Sequence, residues 1–547
     1  MTEPRNIHKQ YVPYHYETAA DWKRFADWLR THLKVSLSIL PEPALKPLNA
    51  KVFGRWVGEG YICEKVAFES LPGFFSTGNL YSPKSPRKKM PAILCPHGHW
   101  KDGRLHDWDP TGSVPARCIQ LARMGAVVFS YDMVGYNDSC QLEHRTTPED
   151  RLSGLRMAAL QTWNSVRALD CVESLPGVDA RKIGVTGTSG GATQTYFLAA
   201  ADKRIAAAAP ICMISYRMQG GCICENPPLL RISATNVDVA RLIAPRPLFM
   251  GSCTGDWTKA TPTEEFPAVK NIYGLLGADG KLHHLHVNDE HNYNRQMREA
   301  VYGFFNQYLF GAATVSPIDE PFVHRPPLRD RMVWWGCSAP KPLSEKALNK
   351  LWTDHIDSAL APLLISPDRV RKTLGPLLKH ILALTPADIQ LAPDAAPASP
   401  SPVGQWDRNY AGERILIVSD ADIDPATQAD SSISFPDTYL RSPLAERVRS
   451  IIAAVESVDE RVGVKGLGSG GPACLIAAAL SSKIKTVEAD MAGFNPKKAN
   501  DWTRSFNIPC IRQIGGLATI FALIGKRTVT LKRANAEVKK TLDRYAR

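Results

Sequence analysis

The stretch KIGVTGTSGGATQTYFLAAA, residues 182–201, decides the fold class of this chain. An apolar strand pattern runs directly into the turn GTSGG (187–191), and a helical run of small residues follows. This is G-x-S-x-G between a strand and a helix, where Ser189 would sit on a sharp, strained turn. Glycines at 187 and 191 let strand and helix pass closely, and free N–H groups at the helix start can stabilise an oxyanion. We therefore predict a nucleophilic serine; a nucleotide-binding loop is disfavoured because no Gly-Lys-Ser/Thr or acidic ribose ligand follows.

Apolar strand patterns alternate with helical patterns on both sides of this turn. The strand patterns cover residues 91–96, 126–132, 182–187, 205–214, 246–252 and 282–287. Strands that alternate with helices imply right-handed crossovers and a mostly parallel sheet. The sequence therefore predicts an α/β fold, a mostly parallel sheet flanked by helices.

A chain of 547 residues is too long for one compact core at roughly 150 residues per domain. Five prolines between 386 and 402 predict a stiff, extended linker. The predicted order is a helical N-terminal segment (1–50), a catalytic α/β domain (51–312), an extended and helical connector (313–385), a Pro-rich linker (386–405) and a smaller non-catalytic α/β domain (406–547).

Three further segments supply partners for the serine. His97-Gly98-His99 closes the strand pattern at 91–96, where this arrangement places an oxyanion donor. Asp256 and His291 follow the strand patterns at 246–252 and 282–287, in the chain order Ser, Asp, His. We expect His291 to act as the base and Asp256 to hold its imidazole tautomer.

The first 310 residues resemble bacterial α/β-hydrolases related to acetyl xylan esterases and dienelactone-hydrolase-like enzymes. The similar stretches are GYICEKVAFESLPGFFSTGNLYSP, PAILCPHGH, YDMVGYNDS, GVTGTSGGATQTYFLAA, IAPRPLFM and EHNYN. The resemblance implies cofactor-independent hydrolysis of carboxylic esters, often on acylated or methylated polysaccharides. It implies Ser189 as nucleophile, Asp256 as acid, His291 as base, and the N–H groups of Gly190 and His99 as oxyanion donors. Position 99, often glycine or tyrosine in related enzymes, is histidine here.

The segment GGCICENPPLLR (220–231) lies between strands, where such enzymes build the substrate-side wall. Our candidates for contact with substrate are His97, Trp100, Glu225, Arg231 and Trp257. A purely structural role is the alternative for each of them, and His97 could organise the oxyanion loop through its side chain.

The second half repeats the pattern of the first without its chemistry. VGVKGLGSGGPACLIAAALSSKIKTVEAD (462–490) aligns with residues 183–210 and puts Gly468 at the nucleophile position. Ser469 comes one residue late, where we expect it to cap the following helix. Strand patterns at 414–420, 461–466, 485–490, 508–515 and 528–531 complete the unit. We predict a degenerate hydrolase-like copy, with an unrelated α/β unit as the alternative.

The composition and the first residues of the chain indicate which partners and which location to expect. With 44% hydrophobic and 22% charged residues, the chain is typical of globular proteins, and no apolar run of about 18 residues predicts a membrane span. The net charge is +12, but no interleaved basic and aromatic stripe indicates a nucleic-acid partner. The start MTEPRNIHKQ has no apolar signal region, so a cytoplasmic location is expected, or a periplasmic or secreted one if a signal peptide was removed.

Twelve cysteines do not form a disulfide scaffold at this length. Cys222 and Cys224 form the one close pair, and no second pair follows at zinc-finger spacing. We interpret them as free or locally oxidised thiols in preference to a metal site, and expect no metal and no cofactor.

These features favour a serine esterase that acts through an acyl-enzyme on a small-molecule or polysaccharide ester. The alternatives are a serine peptidase of the prolyl-oligopeptidase type and a non-catalytic carbohydrate-binding pseudoenzyme. The first lacks support because the chain shows no propeller-blade repeats. The ordered triad argues against the second. The oligomeric state stays open.

Overall fold

The computed structural model describes residue 6 and residues 14–384, 403–408, 412–419 and 433–546. Most of the predicted proline-rich linker, residues 386–402, lies outside these ranges. Within them, no helix has the length and apolar character needed to cross a membrane.

A nine-stranded sheet lies in the first half of the chain. Its strands are β1 (Lys51–Val57), β2 (Tyr61–Leu71), β3 (Phe74–Pro83), β4 (Met90–Leu94), β7 (Val127–Tyr131), β8 (Val178–Thr188), β9 (Ile205–Ile211), β10 (Leu248–Cys253) and β11 (Leu282–Val287). Their spatial order is β1-β2-β3-β7-β4-β8-β9-β10-β11. The first three strands are antiparallel to their neighbours, and the remaining six are parallel. A two-residue hairpin, β5 (Asp107–Trp108) and β6 (Gly112–Ser113), lies apart from this sheet.

A five-stranded sheet follows in the second half, in the order β12-β13-β14-β15-β16. Its strands are β12 (Gln405–Arg408), β13 (Arg414–Val418), β14 (Val462–Gly466), β15 (Ile484–Asp490) and β16 (Thr528–Lys532). All pairs except β12–β13 are parallel. The predicted fold class, an α/β-hydrolase-type sheet with a second, smaller α/β unit, is confirmed.

Helices flank both sheets. They are α1 (Ala19–Ser36), α2 (Val114–Met124), α3 (Met157–Glu173), α4 (Gly190–Ala201), α5 (Leu230–Ser233), α6 (Asn236–Arg241), α7 (Glu265–Leu275), α8 (Arg295–Phe305), α9 (Leu328–Arg331), α10 (Glu345–Leu360), α11 (Pro367–Arg369), α12 (Gly375–Ile381), α13 (Pro436–Tyr439), α14 (Pro443–Glu456), α15 (Gly470–Leu480), α16 (Ala499–Ser505), α17 (Leu517–Ile524) and α18 (Ala536–Tyr545). Single 3₁₀ turns cover Gly103–Leu105, Ile223–Glu225 and Asp279–Lys281, and π-helical turns cover Asn306–Phe310 and Val370–Leu374.

Side chains alternate between the two faces of the large sheet, as the two-residue period of a strand requires. In β4, Ala92 and Leu94 enter one buried cluster, and Ile93 enters the cluster on the opposite face. The first cluster continues through α1 and α12 into the helices of the second sheet. The two sheets therefore share a continuous apolar core.

Two strand predictions need correction. The pattern at 205–214 forms a strand only as far as Ile211, because Cys212 adopts a positive φ of 56° that ends the extended backbone. The pattern at 508–515 forms turns instead of a strand. The backbone N–H groups of this segment donate to residues outside the sheet. Cys510 N–H donates to Arg151 O and Arg512 N–H donates to Leu152 O, both at 2.9 Å.

Candidate functional site

Ser189 lies between β8 and α4 with φ 56° and ψ −125°. A positive φ is strained for a residue with a side chain, and such strain gathers at functional positions. Close packing makes the turn possible: a Cβ on Gly187 would lie 2.6 Å from the backbone of Gly191, and one on Gly191 2.6 Å from Pro96 O. The Ser189 hydroxyl does not cap α4, so it is available for other chemistry.

His291 and Asp256 form a hydrogen-bonded pair. His291 Nδ1 donates to Asp256 Oδ2 at 2.8 Å, and the side chains are 25% and 2% exposed. Thr258 donates to the other carboxylate oxygen through its N–H at 2.6 Å and its hydroxyl at 2.5 Å. Burial alone raises the pKa of Asp256, but the hydrogen bonds from His291 and Thr258 outweigh it and hold that pKa below its usual value. The carboxylate therefore stays ionised beside the imidazole.

The parallel strands bring the three segments to one edge of the sheet. β8, β9, β10 and β11 are consecutive neighbours, so the residues after their carboxyl ends meet there. Ser189 N–H donates to Ile211 O at 3.1 Å. The next residue, Cys212, has its Sγ within 4.8 Å of ligand atoms of Asp256 and His291. This contact joins the serine turn to the acid–base pair.

The loop after β4 packs against the serine turn. A Cβ on Gly98 would lie 3.4 Å from Ser189 Cβ, and one on Gly190 would lie 2.4 Å from His99 Cε1. The imidazole of His99 therefore rests on the Cα of Gly190. Both residues whose N–H groups are predicted oxyanion donors lie next to Ser189.

His97 is completely buried and holds this loop in place. Its Nδ1 donates to Gly98 O at 2.8 Å, and its Nε2 accepts from Met133 N–H at 3.0 Å. Burial lowers the pKa of His97 to about 3, so the ring is neutral at physiological pH. These contacts accord with the organising role considered for His97.

Two of the predicted substrate contacts are partly exposed aromatic side chains. The Trp257 ring lies 4.6 Å from the His291 ring, and Trp100 stacks on His106 at 4.4 Å. Trp257 therefore lies beside the His291–Asp256 pair, and Trp100 directly follows His99 in the loop after β4.

The other two predicted contacts are interior residues. Arg231 is 0% exposed, and its guanidinium lies 5.9 Å from the centre of the Phe197 ring. Glu225 is 3% exposed and accepts hydrogen bonds from the N–H groups of Gly221 and Cys222 and from the Thr193 hydroxyl. Both side chains support the 220–231 segment from within.

Sequence reasoning missed Thr258 and His144. Thr258 lies two residues after Asp256, a spacing at which a side chain can bond back to the carboxylate. His144 lies in a loop without periodicity, and only the fold brings its Nε2 within 3.3 Å of Cys222 Sγ. A hydrogen bond with the Cys224 thiol, and others with His144 and His99, lower the pKa of Cys222 well below that of an ordinary cysteine.

No family model matches the chain. A Bacillus subtilis (strain 168) protein named "Putative hydrolase YtaP" is 26% identical over 232 residues, which are 38% of this chain and 74% of that protein. The solved structure of methylesterase BT1017 is 27% identical with a TM-score of 0.48, over 65% of this chain and 77% of that one. An acetyl xylan esterase from Paenibacillus sp. R4 is 19% identical with a TM-score of 0.37, over 55% and 98% of the two chains. A glucuronoyl esterase from Solibacter usitatus is 16% identical with a TM-score of 0.39, over 55% and 98%.

The sequence relative is named a putative hydrolase, which agrees with the predicted resemblance. The chain resembles the α/β-hydrolase esterases.

Proposed function

We propose that this chain is a serine carboxylic-ester hydrolase that acts through an acyl-enzyme. The observation that carries the proposal is the His291–Asp256 hydrogen bond of 2.8 Å at the sheet edge where Ser189 occupies a strained turn. Nucleophile, base and orienting acid are the three parts that nucleophilic acyl transfer requires.

Nδ1 of His291 donates its hydrogen bond to Asp256, so Nε2 is the ring nitrogen that can accept a proton. In the proposed reaction, Nε2 accepts the Ser189 hydroxyl proton while Oγ attacks the ester carbonyl carbon. His291 then returns the proton to the alcohol oxygen as the C–O bond breaks. A water molecule, activated in the same way, hydrolyses the acyl-enzyme and regenerates the Ser189 hydroxyl.

The N–H groups of Gly190 and His99 would stabilise the tetrahedral oxyanion. Gly190 begins α4, where backbone N–H groups lack partners within the helix, and His99 follows β4. The neutral, buried His97 supports this role because it holds the loop rigid.

For the substrate we propose an acetylated or methylated carbohydrate. The sequence resemblance to acetyl xylan esterases supports this class. The partly exposed indoles of Trp100 and Trp257 offer flat apolar faces on which a sugar ring could rest.

We further propose that the second α/β unit is a non-catalytic copy of the first. Gly468 has φ 53° where Ser189 has φ 56°. A Cβ on Gly466 would lie 2.4 Å from Gly470 O, which parallels the close approach of Gly187 to Gly191. The expectation that Ser469 caps its helix is wrong, since its hydroxyl makes no cap hydrogen bond and accepts one from Arg447 at 2.9 Å.

The test is labelling with a fluorophosphonate probe together with release of acetate and methanol from esterified polysaccharides. Ser189→Ala should abolish labelling and lower kcat by about 10⁴-fold or more without loss of fold. Ser469→Ala is the matched control and should keep both labelling and turnover. Labelling that persists in Ser189→Ala and maps to Ser469 would contradict the proposal, and peptide cleavage without ester cleavage would favour a peptidase.

A further inference from the structure

Four side chains of the kinds that can bind a metal ion meet from three segments of the chain. They are His99 after β4, His144 in the loop after β7, and Cys222 and Cys224 after β9. Their ligand atoms all lie within 4.8 Å of one another. His99 Nε2 is 3.2 Å from Cys224 Sγ, and His144 Nε2 is 3.3 Å from Cys222 Sγ.

These separations are close to those of a tetrahedral zinc site. With Zn–S near 2.3 Å and Zn–N near 2.0–2.1 Å, neighbouring ligand atoms are about 3.3–3.8 Å apart. The nitrogen–sulfur distance of 3.3 Å is at the short end of that range, and the distance of 3.2 Å is just below it. No separation among the four ligand atoms exceeds 4.8 Å, so none would need to close by more than about 1 Å.

The surroundings hold the ligands in a binding-competent orientation. His144 Nδ1 donates to Val134 O at 2.7 Å, which leaves the Nε2 lone pair directed toward Cys222. Metal-ligating histidines typically bond a carbonyl in this way through their other nitrogen. Glu225 accepts from the N–H groups of Gly221 and Cys222 at 2.9 and 3.0 Å and so shapes the cysteine turn.

Burial and charge also suit a metal ion. His144, Cys222 and Cys224 are 6%, 5% and 4% exposed, so water has little access to the ligands. Two thiolates neutralise a divalent cation, so the ion and its four ligands together carry no net charge. Two sulfur and two imidazole ligands in tetrahedral order are typical of zinc rather than of Mg²⁺ or Ca²⁺.

We propose that His99, His144, Cys222 and Cys224 bind one zinc ion in a closed Cys₂His₂ site. All four coordination positions are occupied by protein, so the ion has a structural role and does not activate water. It ties the oxyanion loop to the loop after β7 and to the 220–225 segment. Because the His99 imidazole rests on Gly190, the ion fixes the backbone beside Ser189.

The test uses the full chain, purified under reducing conditions without added chelator. Elemental analysis should find about one zinc per chain. Protein stripped of metal and titrated with Co²⁺ should develop the intense visible bands of tetrahedral cobalt and a near-ultraviolet thiolate-to-cobalt charge-transfer band. Metal removal should also lower the midpoint of thermal unfolding, because an ion that binds the folded state stabilises it.

Cys222→Ser, Cys224→Ser and His144→Gln should each lose the zinc and the thiolate–cobalt band. Cys140→Ser and Cys337→Ser are matched controls at exposed cysteines and should retain both. If the ligand variants do not fold, the cobalt titration of the unmodified chain decides the question alone.

Two results would overturn the proposal. One is the absence of zinc and of tetrahedral cobalt bands in the reduced, folded chain. The other is zinc that persists in the Cys222→Ser/Cys224→Ser double variant, which would place it elsewhere. Fluorophosphonate labelling of Ser189 is a separate readout, so failure of the metal site and failure of the esterase proposal are distinguishable.

Discussion

Gly190 shows how closely the residues of the site are packed. The His99 ring occupies the space that a side chain at 190 would need, since a Cβ at that position would lie 2.4 Å from Cε1 and 2.6 Å from Nδ1 of His99. Both atoms belong to a ring that is itself confined by Cys224. Any residue larger than glycine must therefore displace the His99 ring.

We predict that Gly190→Ala lowers kcat/KM by about 10²–10³-fold, the effect of losing one oxyanion donor. Steady-state kinetics on a small aryl acetate would measure this, with circular dichroism to show that the fold is kept. Gly280→Ala is the control, because no atom lies within 4 Å of a Cβ built there. Equal kcat/KM in the two variants would show that activity does not depend on the packing of the His99 ring against Gly190.

At the scale of elements, α1 and α12 join the N-terminal segment to the connector through two buried histidines. The rings of His32 and His380 are 5.7 Å apart, and Trp28 stacks on His32 at 4.6 Å. Burial lowers the pKa of His32 to about 4 and that of His380 to about 3. Both rings are thus neutral in the folded protein at pH values at which they would be protonated in the unfolded chain.

This contact predicts a loss of stability in mild acid. Between the folded pKa values and about pH 6.5, the unfolded chain binds more protons than the folded one, so stability falls as the pH falls. From pH 7 to pH 5 each histidine should contribute a loss of about 1–2 kcal/mol.

Urea unfolding at the two pH values would measure the effect. His380→Gln should reduce the pH dependence, whereas His324→Gln, at an exposed position, should not. A free energy of unfolding that does not change from pH 7 to pH 5 would contradict the prediction.

At the scale of the whole molecule, the two α/β units are joined by polar contacts as well as by the apolar core. Asp437 accepts from Arg151 at 2.9 and 2.5 Å and from Arg156 at 2.5 Å. Gln513 accepts from the Ser38 hydroxyl at 2.9 Å. These contacts predict that the units unfold together.

We predict one cooperative unfolding transition, and a loss of about 1–3 kcal/mol in Asp437→Ala from its charge-assisted hydrogen bonds. Asp354→Ala is the control: it removes an exposed ion pair with Lys350 and should cost less than about 1 kcal/mol. Calorimetry would show the number of unfolding transitions, and urea unfolding would measure the loss of stability in each variant. Two separate transitions in the unmodified chain would show that the units are energetically independent.

Features that depend on neighbouring residues could be predicted from the sequence. The strand at 282–287, the turn at Ser189 and the helix that follows this turn all lie where the local pattern predicts them, because strand periodicity and glycine turns act over a few residues. The alternation of strands with helices also predicts a mostly parallel sheet, and the segments after the carboxyl ends of its strands carry Ser189, Asp256 and His291.

Contacts between residues that are distant in the chain could not be predicted from the sequence. Sequence separation gives no sign that His99 and His144 meet Cys222 and Cys224, because their loops have no period and their approach depends on how three strands are ordered. The sequence also does not show that Arg231 is buried. Nor does it show that the Ser469 hydroxyl accepts a hydrogen bond from Arg447 instead of capping its helix. Burial and side-chain partners arise from packing between segments, and that packing exists only in the folded chain.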